Sequence, residues 1–160
     1  MTPRAARERQ LPLRTLTQSE AEALAVLGET LLPGSVTAGF VHYIDHQLTV
    51  PAPQSMLMAK YVGVASPYLD FYRTGLAAVE ALAQRRFEKS TASLDAFSAQ
   101  ALVASLSAGS PSGWEGPPAP LLYFVLRNDA VDVSFGTRAG FERLGVPYMP
   151  HIEPPAPWGA

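Results

Sequence analysis

The chain has 160 residues, 48% of them hydrophobic and 16% charged, with a net charge of −2 and no cysteine. That length suits one domain with its own core, the charge balance offers no footprint for nucleic acid, and the missing thiols exclude disulfides, cysteine nucleophiles and Cys-type zinc or iron–sulfur sites. Soluble domains ordinarily carry about 25% charged residues, so a chain this poor in charge favours a partner that covers part of its surface.

Residues 1–15 read as a flexible arm. Arg4, Arg7, Arg9 and Arg14 make it basic. A secretory leader needs an apolar run of about 7–15 residues after such charges, and none follows. No two of these arginines are adjacent, so there is no twin-arginine signal. The longest apolar run, "LLYFVL" at 121–126, is too short to cross a bilayer. Neither a leader nor a membrane anchor is expected.

"TQSE" at 17–20 is a capping box, with Thr17 facing Glu20. It opens a helix through Leu24, Leu27 and Leu31, stopped by "LPG" at 32–34. A second helix is predicted over 37–48, with Phe40, Val41, Ile44 and Leu48 on its buried stripe. "VPAP" at 50–53 breaks the chain, and a third helix is placed over 54–65. Ser66 and Pro67 form a cap and first-turn pair for the longest helix, to Phe87, with Leu69, Tyr72, Leu76, Val79 and Leu82 in register.

Asp95 caps a further helix that carries Phe97, Leu102, Val103 and Leu106 inward and ends at Gly109. "GSPSGWEGPP" at 109–118 is a loop dominated by Gly, Ser and Pro, and a helix with "LLYFVLRNDAVDV" starts near Pro120. A helical turn or two follows. Prolines 147, 150, 154, 155 and 157 then forbid regular structure. No strand, repeat or second domain is read. The expectation is an all-α fold, a single irregular helical domain of about five or six helices over 16–144. It lies between the arm and an extended, proline-rich, partner-binding tail over 145–160.

"HYIDH" at 42–46 raises the question of metal chemistry. His42 and His46 stand four apart, the spacing at which a helix presents two zinc ligands on one face. A zinc enzyme also needs a third ligand and an open position for water, and the only other histidine is His151. In the H-E-x-x-H pattern a glutamate follows the first histidine, whereas Tyr43 stands there in this chain. With Val41 and Ile44 inward, His42 and Asp45 fall on the flanks and His46 points out. The plainer reading is a surface helix face with a local Asp/His hydrogen bond. The scattered carboxylates read as solvated helix faces, and no P-loop, G-x-G-x-x-G or G-x-S-x-G is present.

The tail, "GVPYMPHIEPPAPWG", has one charged residue, Glu153. Solvated disordered tails are normally polar and charged. This one offers Tyr148, Met149, His151, Ile152 and Trp158, with prolines that reduce the entropy lost on docking. Together with Trp114 in the 109–118 loop, these are the candidate partner-binding residues. The tail either straps across its own helices or lies on another protein, and the low overall charge favours the second.

The order "LTQSEAEALAVLGETLLPG", "AGFVHYIDHQL", "YRTGLAAVEALAQRRF" and "FGTRAGFERLGVPYMPHIEPP" resembles the gluconate 2-dehydrogenase subunit 3 family, over about 16–158. The resemblance implies a small helical subunit with no cofactor, metal or catalytic residue of its own. It implies binding to a large FAD-dependent dehydrogenase subunit of the glucose–methanol–choline oxidoreductase type, often with a cytochrome c as third member. Such subunits are thought to help the large subunit mature and to accompany it outward by the twin-arginine route. Since this chain has no such signal, it is expected on the periplasmic side if exported with its partner, and in the cytoplasm otherwise. Asp45 and Gln47 match the family's "IDxQL" segment, which points to fixing a helix end or touching the partner. Two other classes stand beside this one: a metal-dependent helical enzyme using His42, His46 and His151, and a free helical binding module.

Overall fold

The computed structural model describes residues 1–147; the rest of the tail, with Tyr148, Met149, His151, Ile152 and Trp158, lies outside the described residues. Among the described residues there are nine α-helices and no strand, so the all-α expectation holds. They are α1 (Pro3–Glu8), α2 (Gln18–Leu31), α3 (Ser35–Ala38), α4 (Phe40–Gln47), α5 (Met58–Tyr61), α6 (Tyr68–Phe87), α7 (Ala96–Ala108), α8 (Ala119–Phe135) and α9 (Arg138–Arg143). No helix among them is long and apolar enough to cross a membrane.

Local signals fixed the helix ends where the cap is a side chain. The Thr17–Glu20 capping box forms in both directions. Asp95 accepts from the Ser98 N–H at the start of α7, which runs to Gly109, and Thr137 caps α9 by accepting from the Gly140 N–H. The apolar run "LLYFVL" lies in α8, which packs against α2, α3, α4, α5, α6, α7 and α9. Leu122, Val125, Leu126 and Ala130 of α8 are fully buried. Sequestering each larger side chain of this kind contributes about 1.5–3 kcal/mol, which makes α8 the axis of the core. Gly75 lets α6 approach it: a Cβ there would stand 2.7 Å from Leu122 Cδ1.

Five expectations need correction. Residues 1–15 are not a flexible arm. Thr2 caps α1 by accepting from Ala5 N–H, and α1 packs on α3 and α4. The helix placed over 37–48 is two helices, broken at Gly39, whose φ of 98° is left-handed. The helix placed over 54–65 shrinks to the single turn of α5, preceded by a 3-10 turn at Ala52–Gln54, because buried side chains claim the backbone groups of the intervening residues. Phe97, expected inside, is 80% exposed. It sits in the first turn of α7, before that helix meets the core. The α6 start also shifts: Pro67, not Ser66, is its cap residue.

Gly39 answers two demands at once. It takes the left-handed turn between α3 and α4, and a Cβ there would meet the backbone carbonyl carbon of Pro3 at 2.3 Å. Replacing it with alanine is expected to cost about 2–4 kcal/mol, from the unfavourable φ and from displacement of α1. Urea denaturation measures the loss, and hydrogen exchange should show the amides of residues 5–9 opening first.

Candidate partner interface

The residues of "HYIDH" hold the chain together. Asp45 is 4% exposed, not flanking. Its carboxylate accepts three backbone N–H groups, from Arg14 to Oδ2 and from Thr15 and Leu16 to Oδ1, each at 2.9 Å. A carboxylate with that many charge-assisted bonds is a strong clamp, and it fixes the approach to α2. The local Asp/His hydrogen bond is therefore replaced by a long-range one. His42 Nε2 lies 3.2 Å from the Leu11 carbonyl, while His46 is exposed as expected. Among the described residues no three His, Cys, Asp or Glu side chains are placed to hold a metal ion.

A second clamp governs residues 55–58. Gln47 Oε1 accepts from the Met56 N–H at 2.8 Å, and the Tyr43 hydroxyl donates to the Met56 carbonyl at 3.0 Å. Ser55 Oγ accepts from Leu57 N–H. From the far side, Asp129 Oδ1 accepts from the Met58 N–H at 2.8 Å, and its Oδ2 accepts from the Tyr72 hydroxyl at 2.5 Å. Asp129 has no exposed surface, and burial pushes its carboxyl up to about 7 against the lowering effect of these two donors. Burial and the neighbouring Asp129 also raise the Tyr72 and Tyr43 hydroxyls, and burial raises Asp132.

The "YRTGL" stretch belongs to the same frame. Tyr72 reaches Asp129. Arg73 Nη2 donates to the Thr15 carbonyl at 2.9 Å and its Nε pairs with Glu20 at 3.0 Å. Gly75 admits Leu122. Asp45 and Gln47, expected to fix a helix end or to touch the partner, hold the 14–16 amides that lead into α2 and the Met56 amide. Asp129 and Tyr61 were missed. Asp129 had a signal, since an acidic residue sits on the same helical stripe as Leu122, Val125, Leu126 and Val133, where an apolar one belongs.

Three apolar side chains in and just after the segment held by the second clamp are exposed. Met56 is 59% exposed and Tyr61 65%, and Val62 beside them is also open to solvent. Phe97, Phe124, Leu144 and Val146 are exposed elsewhere. Trp114 is half buried, packs against the core and donates its indole N–H to the Pro117 carbonyl at 2.6 Å. The other five candidate contacts lie outside the described residues.

Asp129→Ala would leave the Met58 N–H and the Tyr72 hydroxyl without partners in the core, at a cost of about 2–5 kcal/mol in denaturation. The raised carboxyl also has a pH signature. Folded Asp129 keeps a proton that the unfolded chain gives up near its ordinary value of about 4. Its contribution is complete below that value and is lost as pH rises through about 7. Relative to Asp129→Asn, which cannot ionise, the natural protein should lose stability between about pH 4 and about pH 7.

The chain matches the family model described as gluconate 2-dehydrogenase subunit 3 over residues 18–152. No curated protein and no solved structure matches it. The matched span takes in Asp45 and the whole of the second clamp, and excludes α1 and the 14–16 amides that Asp45 binds. With 18–152 of 160 residues inside the match, the chain belongs to the gluconate 2-dehydrogenase subunit 3 family, whose members are named as subunits of a dehydrogenase.

Proposed function

We propose that this protein is a non-catalytic small subunit that binds, stabilises and helps to mature a large FAD-dependent dehydrogenase subunit of the glucose–methanol–choline type, acting on a sugar or alcohol. The flavin belongs to the large subunit, and a cytochrome c is the third member in complexes that have one. The observation that carries this reading is the engagement of the buried polar groups. Asp45, Gln47 and Asp129 hold backbone or another side chain of this chain. They do not converge on a cleft in which a substrate atom sits between a nucleophile and a base. Several large apolar side chains, Met56, Tyr61 and Phe97 among them, are left exposed, which supports association. The apolar composition of the C-terminal segment, with Tyr148, Met149, Ile152 and Trp158, supports a contribution from it to the same contact.

Co-expression tests the proposal. The two chains should purify together, with flavin bound only to the large one. If the large subunit alone is equally soluble, flavin-loaded and active, the maturation role fails. Truncation after Leu144 is expected to weaken the complex sharply, since loss of a buried tryptophan anchor alone is worth ~2 kcal/mol or more. The helical circular dichroism of the isolated chain should stay nearly intact. Unfolding of the truncated chain would instead make the segment an internal strap.

A further inference from the structure

We infer that residues 1–12 form a hinged lid, latched by His42, that closes a single cleft running along α4. The inference does not depend on the subunit reading above and stands whether the chain works alone or in a complex. Two cavities flank the point where Leu11 and Pro12 pass over His42. One, of about 460 Å³, lies between Gln10 of the lid and Ala21, Ala25 and Val36 of α2 and α3. The other, of about 490 Å³, lies between Thr2, Pro3 and Ala6 of the lid and Tyr43, His46 and Met56. Leu11, Pro12 and His42 line both. The lid therefore bridges the groove without filling it, and lifting it at Leu11 and Pro12 joins the two spaces into one.

The lid is held firmly at one end and lightly elsewhere. Leu13 packs against the core, and the Asp45 carboxylate binds the amides of Arg14, Thr15 and Leu16. That end is the hinge. Among the described residues, one hydrogen bond joins residues 1–12 to the rest of the chain: His42 donates from Nε2 to the Leu11 carbonyl at 3.2 Å. The other hydrogen bonds of the segment close on itself. Arg4, Arg7 and Arg9 lie within it, and none of them takes part in an ion pair. The helix α1 buries no residue, and Leu11 at the crossing stays 39% exposed. What seats α1 is the fit of the Pro3 backbone against Gly39.

The closed position also carries strain. Gln10 ends α1 with a φ of 51°, in the left-handed region that a residue with a side chain rarely enters. The Leu11 N–H donates to the Ala6 carbonyl at 3.0 Å and the Gln10 N–H to the Arg7 carbonyl at 2.9 Å. This is the bonding of a helix stop that usually employs glycine, with glutamine in its place. Those bonds last only while the helix does, and a helix of six residues does not persist in water once undocked. Opening therefore relieves Gln10, melts α1 and uncovers the cleft in one event. Segments with few buried apolar contacts are the first to open in a native protein. One latch and one backbone fit favour the closed state, and three bonds fix the hinge.

Hydrogen exchange on the full chain tests the lid. The amides of Ala6, Arg9, Gln10 and Leu11 are bonded only within the segment. They should exchange with one common opening constant, roughly 100-fold or more above that of the α8 amides. The Arg14, Thr15 and Leu16 amides should exchange roughly tenfold or more slowly than these four. His42→Ala should raise the common constant by about 2- to 10-fold, the worth of one hydrogen bond, and leave the hinge and α8 amides unchanged. The chain has no cysteine, so the thiol of Ala21→Cys, at a position 7% exposed beside the first cavity, reads access to the cleft. A bulky thiol reagent should modify it at a rate set by lid opening, and His42→Ala should speed it by the same factor. Exchange graded from residue 6 to residue 11 means fraying from the end. Exchange of the four only together with α8 means a permanent part of the core, and opening of the hinge amides with them means that there is no hinge. Each of these overturns the inference, as does a common constant or a labelling rate that His42→Ala leaves unchanged.

Discussion

Asp129 is a carboxyl group with no access to water, placed on the central helix of an otherwise apolar core. Burying such a group without partners is costly, so its surroundings must supply them. Tyr72 does so from α6, and the Met58 amide does so from α5. Each donor is committed in turn. Tyr72 is fully buried and meets Phe71 edge to face, with ring centres 5.5 Å apart. Met58 starts a one-turn helix that could not stand alone, since isolated short helices are unstable in water. The position of α5, and of the apolar side chains it presents, therefore depends on a polar contact in the core.

Asp45 plays the same part on the other flank. Its three amide partners place the approach to α2, and Arg73 closes that corner by binding both Thr15 and Glu20. The two acids differ in what surrounds them. Asp45 meets three backbone amides. Asp129 meets one amide and one hydroxyl, under full burial and with Asp132 on the same helix, and its carboxyl rises. A hydroxyl can donate or accept, so the Tyr72 contact survives either protonation state of Asp129, whereas the Met58 amide can only donate.

How much of this could be read in advance follows the range of the interactions. The caps at Thr17 and Asp95 were legible because donor and acceptor lie three residues apart. The apolar stripe of α6 from Tyr72 to Leu82 was legible because periodicity reports burial within one helix. Asp129 and Met58 lie 71 residues apart, and Asp45 lies 29 to 31 residues from its amides. No local pattern encodes such pairings. For the same reason α1 could not be foreseen as docked: its attachment depends on Gly39 lacking a Cβ where Pro3 comes to rest. The family resemblance reached further than the residue chemistry, since it marked Asp45, Gln47 and Tyr72 without saying what they bind. Their structural roles explain why the matching stretches include no catalytic motif.

The low charge of the chain now has two separate causes. One is internal, an axis helix whose surroundings take up Leu122, Val125 and Leu126 on one side and admit Gly75 on another. The other is external, a set of apolar side chains left in solvent. These causes make different demands on the sequence. A core tolerates exchange among apolar residues of similar volume, so the residues around α8 are constrained mainly in size. An exposed methionine or tyrosine has no packing to satisfy, and nothing in folding opposes its replacement by a charge.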